Sequence, residues 1–380
     1  MKILTLTHEY PPVGTGGGKV AEGIASGLVK HGWEVCIVTP NLKKTGLPAE
    51  EVRNGVRIVR VPTNRKLLHQ AAFKDMASFL LNGFLPAWRI VRDWQPDLIH
   101  VHFAVPAGAM AWVITRFMKI PYVVTAHLGD VPGGAPSKTK GWFRWIFPFT
   151  PPIWKSAAKI TAVSEFTRNL AIQSYNVEVV VIPNGVEFDD HARETRISAP
   201  PRIVFAGRFV DQKNPVEVVQ VLARIKDLPW ECTMLGNGPL FRDTKRAVKQ
   251  NQLEDRIHLP GWVDSNDVIA ELEQSDILFM PSKSEGMPVI GLQSLAAGLA
   301  LIGGNLGGFV DLVEEGKNGF LVHPDDHSGI EARLRKLLMD QIALIAAKEH
   351  SRKIAPRFHI DNIVEQYLKV FENVLGEKGN

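Results

Sequence analysis

Four groups of residues in this chain have the types and spacing for chemistry on a charged, oxygen-rich ligand. The first runs Met280-Pro281-Ser282-Lys283-Ser284-Glu285-Gly286-Met287-Pro288-Val289 and on to Gly298. A short apolar run precedes it, Pro288 suits the first position of a helix, and Gly298 suits its stop. Glu285 and Gly286 then fall in a loop at a helix start. Free backbone N–H groups there attract an anion, and a glycine admits a ligand close to the backbone. Gln293 lies about one and a half turns into that helix. The same pattern also fits a plain strand–loop–helix turn with a surface glutamate.

The second group is Phe205-Ala206-Gly207-Arg208-Phe209-Val210-Asp211-Gln212-Lys213-Asn214-Pro215. A strand ends at Gly207, two cations follow, and Asn214-Pro215 reads as an N-cap and a first helical proline. Arg208, with its planar fork, and Lys213, as a point charge, have the chemistry to clamp a diphosphate. Two solvated loop cations are the plainer reading. The third group is the loop Pro11-Pro12-Val13-Gly14-Thr15-Gly16-Gly17-Gly18 between the first strand and the first helix. Gly16-Gly17-Gly18-Lys19-Val20-Ala21 nominally fits the dinucleotide fingerprint. The loop is too long for it, however, and the second strand ends Val38-Thr39-Pro40-Asn41 without the acid that a ribose needs. Val13 and Val20 also exclude a Walker loop. A helix start whose amides touch substrate, or a tight turn, remains. The fourth group is Thr125-Ala126-His127-Leu128-Gly129-Asp130, which puts a histidine at the carboxyl end of a strand, where α/β sheets bind ligands. His100-Val101-His102 places two imidazoles on one strand face. No third ligand at suggestive spacing accompanies them, and no strand-end Asp-x-Asp is present to hold a metal on a diphosphate.

The elements that must carry these groups alternate. Ile3–Thr7, Glu34–Thr39, Val56–Val61, Asp97–Val101, Tyr122–Ala126, Lys159–Val163 and Val177–Ile182 read as strands. Lys19–Lys30, Ala71–Arg92 and Ala107–Phe117 read as helices between them. After a polar stretch, Glu187 to Arg196 and then Pro200-Pro201, the alternation restarts. Strands are expected at Arg202–Ala206, Glu231–Leu235, Ile257–Leu259, Ile277–Met280, Ala300–Ile302 and Phe320–Val322, with helices at Val216–Ile225 and Leu240–Gln250. The order predicts an α/β protein of two doubly wound domains with parallel sheets, facing each other across a cleft that takes one substrate. The expected boundaries are a first domain over 1–187, a linker over 188–200, a second domain over 201–356, and a terminal helix over 357–380 packing back on the first.

The 380 residues carry 44 Lys and Arg against 40 Asp and Glu, a net charge of +4, and are 45% hydrophobic. That excludes a disordered chain and lacks the basic runs of a nucleic-acid binder. Cys36 and Cys232 sit in apolar runs and are expected to be buried free thiols of a reducing compartment. The first residues are too short an apolar stretch for a signal peptide, and Val105–Ile114 is too short to span a bilayer, so the expected location is cytoplasmic, at most on a membrane face.

Together the motifs resemble the retaining glycosyltransferases of family 4, which have the two-domain GT-B fold. They run in the family's order: Tyr10-Pro11-Pro12 with Gly16–Gly18, Ala126-His127, Ala162-Val163-Ser164, Ile182-Pro183-Asn184-Gly185-Val186, Gly207-Arg208 with Lys213, Gly236-Asn237-Gly238-Pro239, and Pro281-Ser282 with Glu285-Gly286. The resemblance implies a nucleotide diphosphate sugar as co-substrate, UDP-linked by preference, with no cofactor and no metal. It makes Arg208 and Lys213 the diphosphate ligands, Glu285 a ligand of the sugar hydroxyls, and His127 the group facing the reacting sugar. It places amides of Gly16, Gly17, Met287 and Val289 on phosphate and sugar oxygens, Gly286 beside them, Trp262 and Val263 on the base, and Gly236, Asn237 and Gly238 close by.

One position departs from the family pattern: Gln293 stands where relatives have a glutamate that accepts from the ribose, so a weaker bond is expected. A hexose transferred to a sugar or lipid-linked sugar, in surface polysaccharide or glycoconjugate synthesis, is the implied reaction. A silent sugar-nucleotide sensor, a sugar-nucleotide epimerase and a dinucleotide oxidoreductase are the competing readings. Residues 137–155 combine six large aromatics with four cations, and with Arg65-Lys66-Leu67-Leu68-His69 and Phe73-Lys74 they suit an anionic membrane interface. Packing inside the first domain is the alternative.

Overall fold

The computed structural model describes residues 1–14, 16–42, 46–67, 71–134, 144–189 and 195–377. Two compact units divide the chain, one of Met1–Glu187 with the terminal stretch from Ile360, the other of Phe188–His359.

The first unit is an eight-stranded sheet of β1 (Lys2–Leu6), β2 (Glu34–Leu42), β3 (Glu50–Arg53), β4 (Val56–Thr63), β5 (Leu98–His102), β6 (Tyr122–Ala126), β7 (Lys159–Ala162) and β8 (Val180–Val181), in the order β3-β4-β2-β1-β5-β6-β7-β8. Every pairing is parallel except β3 with β4. That hairpin turns on Asn54 and Gly55, at φ 52° and 76°; the Asn-Gly pair tolerates the positive φ that a two-residue turn needs. The sequence reading omitted β3, whose Glu50-Glu51-Val52-Arg53 has little apolar content, although the Asn-Gly signal was present. Helices α1 (Gly16–Lys30), α2 (Phe73–Trp94), α3 (Ala109–Met118) and α4 (Glu165–Tyr175) cover the sheet.

The second unit is a six-stranded, all-parallel sheet in the order β11-β10-β9-β12-β13-β14. Its strands are β9 (Arg202–Ala206), β10 (Glu231–Leu235), β11 (Ile257–Gly261), β12 (Ile277–Met280), β13 (Ala300–Gly304) and β14 (Gly319–Val322). Its helices are α5 (Pro215–Arg224), α6 (Phe241–Gln250), α7 (Ser265–Glu273), α8 (Val289–Ala297), α9 (His327–Met339) and α10 (Gln341–Ile354). The near-continuous apolar strands are what a sheet covered on both faces requires: all four residues of β12 and all five of β13 are buried. The two expected doubly wound domains are thus present.

The last helix, α11 (Ile360–Gly376), returns to the first unit and packs on α1. Gly23 and Gly27 of α1 make room for it. A Cβ on Gly27 would lie 2.4 Å from Val364 Cγ2, and one on Gly23 would lie 2.9 Å from Ile360 Cδ1. Cys36 and Cys232 are both buried and unpaired, and burial raises both thiols, Cys36 to about 12. Among the described residues, no helix is long and apolar enough to cross a membrane.

Candidate active site

In the second sheet the connections run outward from β9 in both directions, so the switch point lies between β9 and β12. The loops leaving those two strands carry Gly207–Lys213 and Pro281–Pro288, and they are joined at several points. Lys213 Nζ donates to Glu285 Oε1 at 2.5 Å, Gln212 Nε2 donates to the Ser284 carbonyl at 2.6 Å, and Lys283 Nζ donates to Asp211 Oδ1 at 2.6 Å. Glu285 is only 6% exposed, so its carboxylate needs the ammonium partner. Arg208 follows Gly207, against which the Lys213 stem packs: a Cβ on Gly207 would lie 3.6 Å from Lys213 Cε. The Arg208 guanidinium is half-buried and makes no hydrogen bond or ion pair among the described residues. A fork of five donors held without an acceptor suits an anion.

The loop after β10 is zipped to the one after β9. Phe209 N donates to the Asn237 carbonyl at 3.0 Å, and Leu240 N to the Phe209 carbonyl at 2.9 Å. Gly236 has φ +129°, and a Cβ there would meet the Gly207 oxygen at 1.9 Å, so glycine is required by this crossing itself. Gly238 N is turned onto Asn237 Oδ1 at 2.7 Å, and Asn237 is exposed. After β11, Trp262 is exposed and Val263 half-buried. After β12, Gly286 is half-buried and Met287 buried. Pro288 takes the N-cap of α8 rather than its first position, and the helix stops on Gly298 at φ 77° as its type requires. The amides of Val289 and Ile290 at this start have no acceptor among the described residues. Gln293 is half-buried, and its side-chain amide likewise has no partner among the described residues. Asn214 does sit at the N-cap of α5 before Pro215, but at φ 57° its side chain makes no cap bond. The sequence reading had the position right and the cap chemistry wrong.

The first sheet has its switch point between β1 and β5, and the loops there differ in character. His127, after β6, packs against Phe103 with ring centroids 4.4 Å apart and planes tilted by 31°, and Phe103 packs against His8 at 4.4 Å with planes tilted by 60°. Phe103 holds φ +71°, a strained setting for an aromatic residue. A Cβ on Gly17 would lie 2.7 Å from Phe103 Cζ, so this glycine is what lets α1 start against the ring. Gly16 opens the helix beside it, half-buried, and Thr15 of the same loop lies outside the described residues. Asp130 ties the turns together: Oδ1 accepts from His127 N at 3.0 Å and Oδ2 from Ala104 N at 2.7 Å.

Behind His127 the imidazoles continue inward. His127 Nε2 and His102 Nδ1 share a hydrogen bond of 2.9 Å, the His102 and His100 rings lie 4.3 Å apart, and His100 Nε2 bonds Thr125 Oγ1 at 2.9 Å. Burial holds all three neutral. His127 is lowered to about 4 against the opposing pull of Glu9, His100 is lowered to about 3, and His102 lies well below its ordinary value. The His100–His102 pair is therefore bound up with Thr125 and His127, and among the described residues no cluster of three or more ligating side chains could hold a metal.

The sequence did not single out His8, Phe103, Asp130, Asp211 or Lys283. Only the strand-end His-x-His could have hinted at the imidazole chain. Of the aromatic segment, residues 137–143, with Trp142 and Phe143, lie outside the described residues, as do Leu68, His69 and linker residues 190–194. Trp154 is buried and stacked on Tyr175 at 4.5 Å, and Phe147 packs on the same tyrosine, whereas Trp145 and Phe149 are exposed.

Both halves of the chain are similar to known proteins. Residues 15–185 match the family described as glycosyl transferase 4-like domain, and residues 187–355 match glycosyl transferases group 1. An N-acetyl-alpha-D-glucosaminyl L-malate synthase of Bacillus anthracis is 26% identical over 98% of this chain and 97% of its own. A UDP-Gal:alpha-D-GlcNAc-diphosphoundecaprenol alpha-1,3-galactosyltransferase of Escherichia coli is 25% identical over 87% of this chain and 88% of its own. In fold, the sucrose-phosphate synthase of Thermosynechococcus elongatus superposes with a TM-score of 0.86 at 18% identity, covering 99% of this chain and all of that one. With both halves matched and the two-sheet architecture shared, the chain belongs to the group 1, family 4-like glycosyltransferases of GT-B fold.

Proposed function

We propose that this glycosyltransferase is a retaining, metal-independent hexosyltransferase. It moves a hexose from a nucleotide diphosphate sugar, UDP-linked by preference, to a sugar or lipid-linked sugar in polysaccharide or glycoconjugate synthesis. The observation that carries the reading is the unpartnered Arg208 guanidinium beside the Lys213–Glu285 pair, at the switch point of the second sheet. Arg208 takes the diphosphate bidentately. Lys213, with three donors of which Glu285 engages one, adds a second charge, and the two cations stabilise the negative charge that grows on the leaving nucleotide. The amides of Gly16, Gly17 and the α8 start bind phosphate and sugar oxygens, Glu285 accepts from sugar hydroxyls, and His127 faces the reacting sugar as a neutral imidazole. Attack on the face that the diphosphate leaves keeps the anomeric configuration, and a departing phosphate oxygen takes the acceptor's proton. The relative named for a diphosphoundecaprenol substrate supports the lipid-linked acceptor class.

Thermal-shift and calorimetric titration with nucleoside diphosphates and their sugars tests this. Saturable binding that Arg208→Ala weakens is expected, and no response to any nucleoside diphosphate overturns it. Gln293 favours one competitor, a silent sensor of the same ligand. Acceptor-dependent release of the nucleotide separates an enzyme from that sensor.

A further inference from the structure

On the outer face of α2, Lys74, Leu81, Leu85, Trp88 and Arg92 follow one another at spacings of seven, four, three and four residues, which aligns them in a single stripe. Leu81 and Leu85 are turned away from the core, because Phe79, Gly83, Ala87, Ile90 and Val91 are buried on the other side, and Trp88 is half-buried between the stripe and the core. The stripe is apolar and open: Leu81 is 76% and Leu85 51% exposed. It continues onto α3, where Phe117, 70% exposed, lies with its ring centroid 5.9 Å from that of Trp88, which in turn sits 5.8 Å from Phe84. Such a run of large apolar side chains in water is unfavourable unless something covers it.

The charges around the stripe say what covers it. Lys74, Arg89 and Arg92 of α2, Arg116 of α3 and Lys119 just beyond it are all exposed. The acidic residues of the two helices are Asp75, which is buried and accepts from Ala72 N at 2.8 Å, and Asp93, which is paired with Arg92 at 2.6 Å. A cavity of about 740 Å³ opens at the same end, with Arg92 and Lys119 in its lining. A row of leucine and aromatic side chains with a border of cations is the composition of a surface that sinks to headgroup depth in an anionic bilayer.

We propose that the α2–α3 face of the first unit docks on an anionic lipid membrane, with Leu81, Leu85 and Phe117 inserted among the headgroups and Arg89, Arg116 and Lys119 on lipid phosphates. The docking surface is therefore the helical face rather than the 137–155 segment alone. It is independent of how the nucleotide binds, so its failure leaves the proposed reaction standing.

The test is co-sedimentation of the full chain with vesicles of phosphatidylcholine alone and of phosphatidylcholine with phosphatidylglycerol. Binding to the mixed vesicles is expected to be at least tenfold stronger and to weaken with salt. The variant Leu81→Ser/Leu85→Ser/Phe117→Ser should lose at least tenfold in that binding while keeping its melting temperature and nucleotide affinity. Arg89→Gln/Arg116→Gln, a second variant that leaves the apolar stripe intact, should lose the preference for phosphatidylglycerol. Equal binding to both vesicle types, no binding to either, or unchanged binding by the triple variant overturns the proposal. So does a concentration-dependent dimer in sedimentation equilibrium that the triple variant abolishes, which would make a second copy the occupant.

Discussion

The carboxyl edges of the two sheets hold opposite kinds of chemistry. At the first edge, the rings of His8, Phe103 and His127 pack together, and His127 with the imidazoles behind it is held uncharged by burial. At the second, the pairs Lys213–Glu285 and Lys283–Asp211 tie two adjacent loops, with Glu285 buried, and Arg208 stands half-buried beside them without an ion pair among the described residues. Under the proposed function the contrast becomes a division of labour: a desolvated, neutral edge would read shape and hydroxyl hydrogen bonds, while a charged edge would handle the phosphates whose charge changes during transfer.

The largest effect that could break this comparison comes from the charged edge. Arg208→Ala is expected to lower kcat by about 10²–10³-fold, the usual loss when one donor to a developing charge is removed. Steady-state turnover of a nucleotide sugar checks it, and a change below threefold would remove Arg208 from the chemistry. Gly236→Ala forces a Cβ onto the Gly207 oxygen at 1.9 Å with φ +129°, and should destabilise the second unit by about 3 kcal/mol. Urea unfolding measures that, and an unchanged midpoint would contradict the crossing of the two loops.

At the neutral edge, His102→Phe removes the partner that orients His127. It should reduce kcat about tenfold with little change in nucleotide affinity, whereas a purely structural role would lower the melting temperature and leave kcat alone. The neutral edge also predicts a pH dependence. Unfolded imidazoles titrate near 6.5, while folded His127 and His100 titrate near 4 and 3. Between those values the unfolded chain binds more protons, so the stability these groups contribute is complete above pH 6.5 and falls as pH drops toward 4. Scanning calorimetry at pH 7.5, 6 and 5 should show a falling melting temperature, less steep in His100→Gln; a flat or rising profile would mean the imidazoles are not held neutral. The smallest expected effect sharpens the comparison: Gln293→Glu should tighten nucleotide binding about fivefold by adding a charge-assisted acceptor, and a titration showing equal or weaker binding would place Gln293 away from the ribose.

Much of the architecture was readable from periodicity. The apolar run Ile277–Met280 became a strand with those limits, because a strand buried on both faces needs continuous apolar residues. Gly298 marked the end of α8 because its backbone requirement is local. Where polarity broke the pattern, as in β3, or where backbone geometry replaced a side-chain role, as at Asn214, the reading failed.

What the chain determined by itself was the alternation of elements, the glycine that stops α8, and the placing of Arg208, Lys213, His127 and Glu285 at strand ends, since all of these depend on neighbours within a few residues. Tertiary structure alone decided that Lys213 finds Glu285 across 72 positions, that His127 leans on His102 across 25, and that the face bearing Leu81 and Phe117 is left uncovered. Those outcomes follow from strand order, which brings together loops distant in sequence, and from which helix face the sheet buries; neither is written in local spacing.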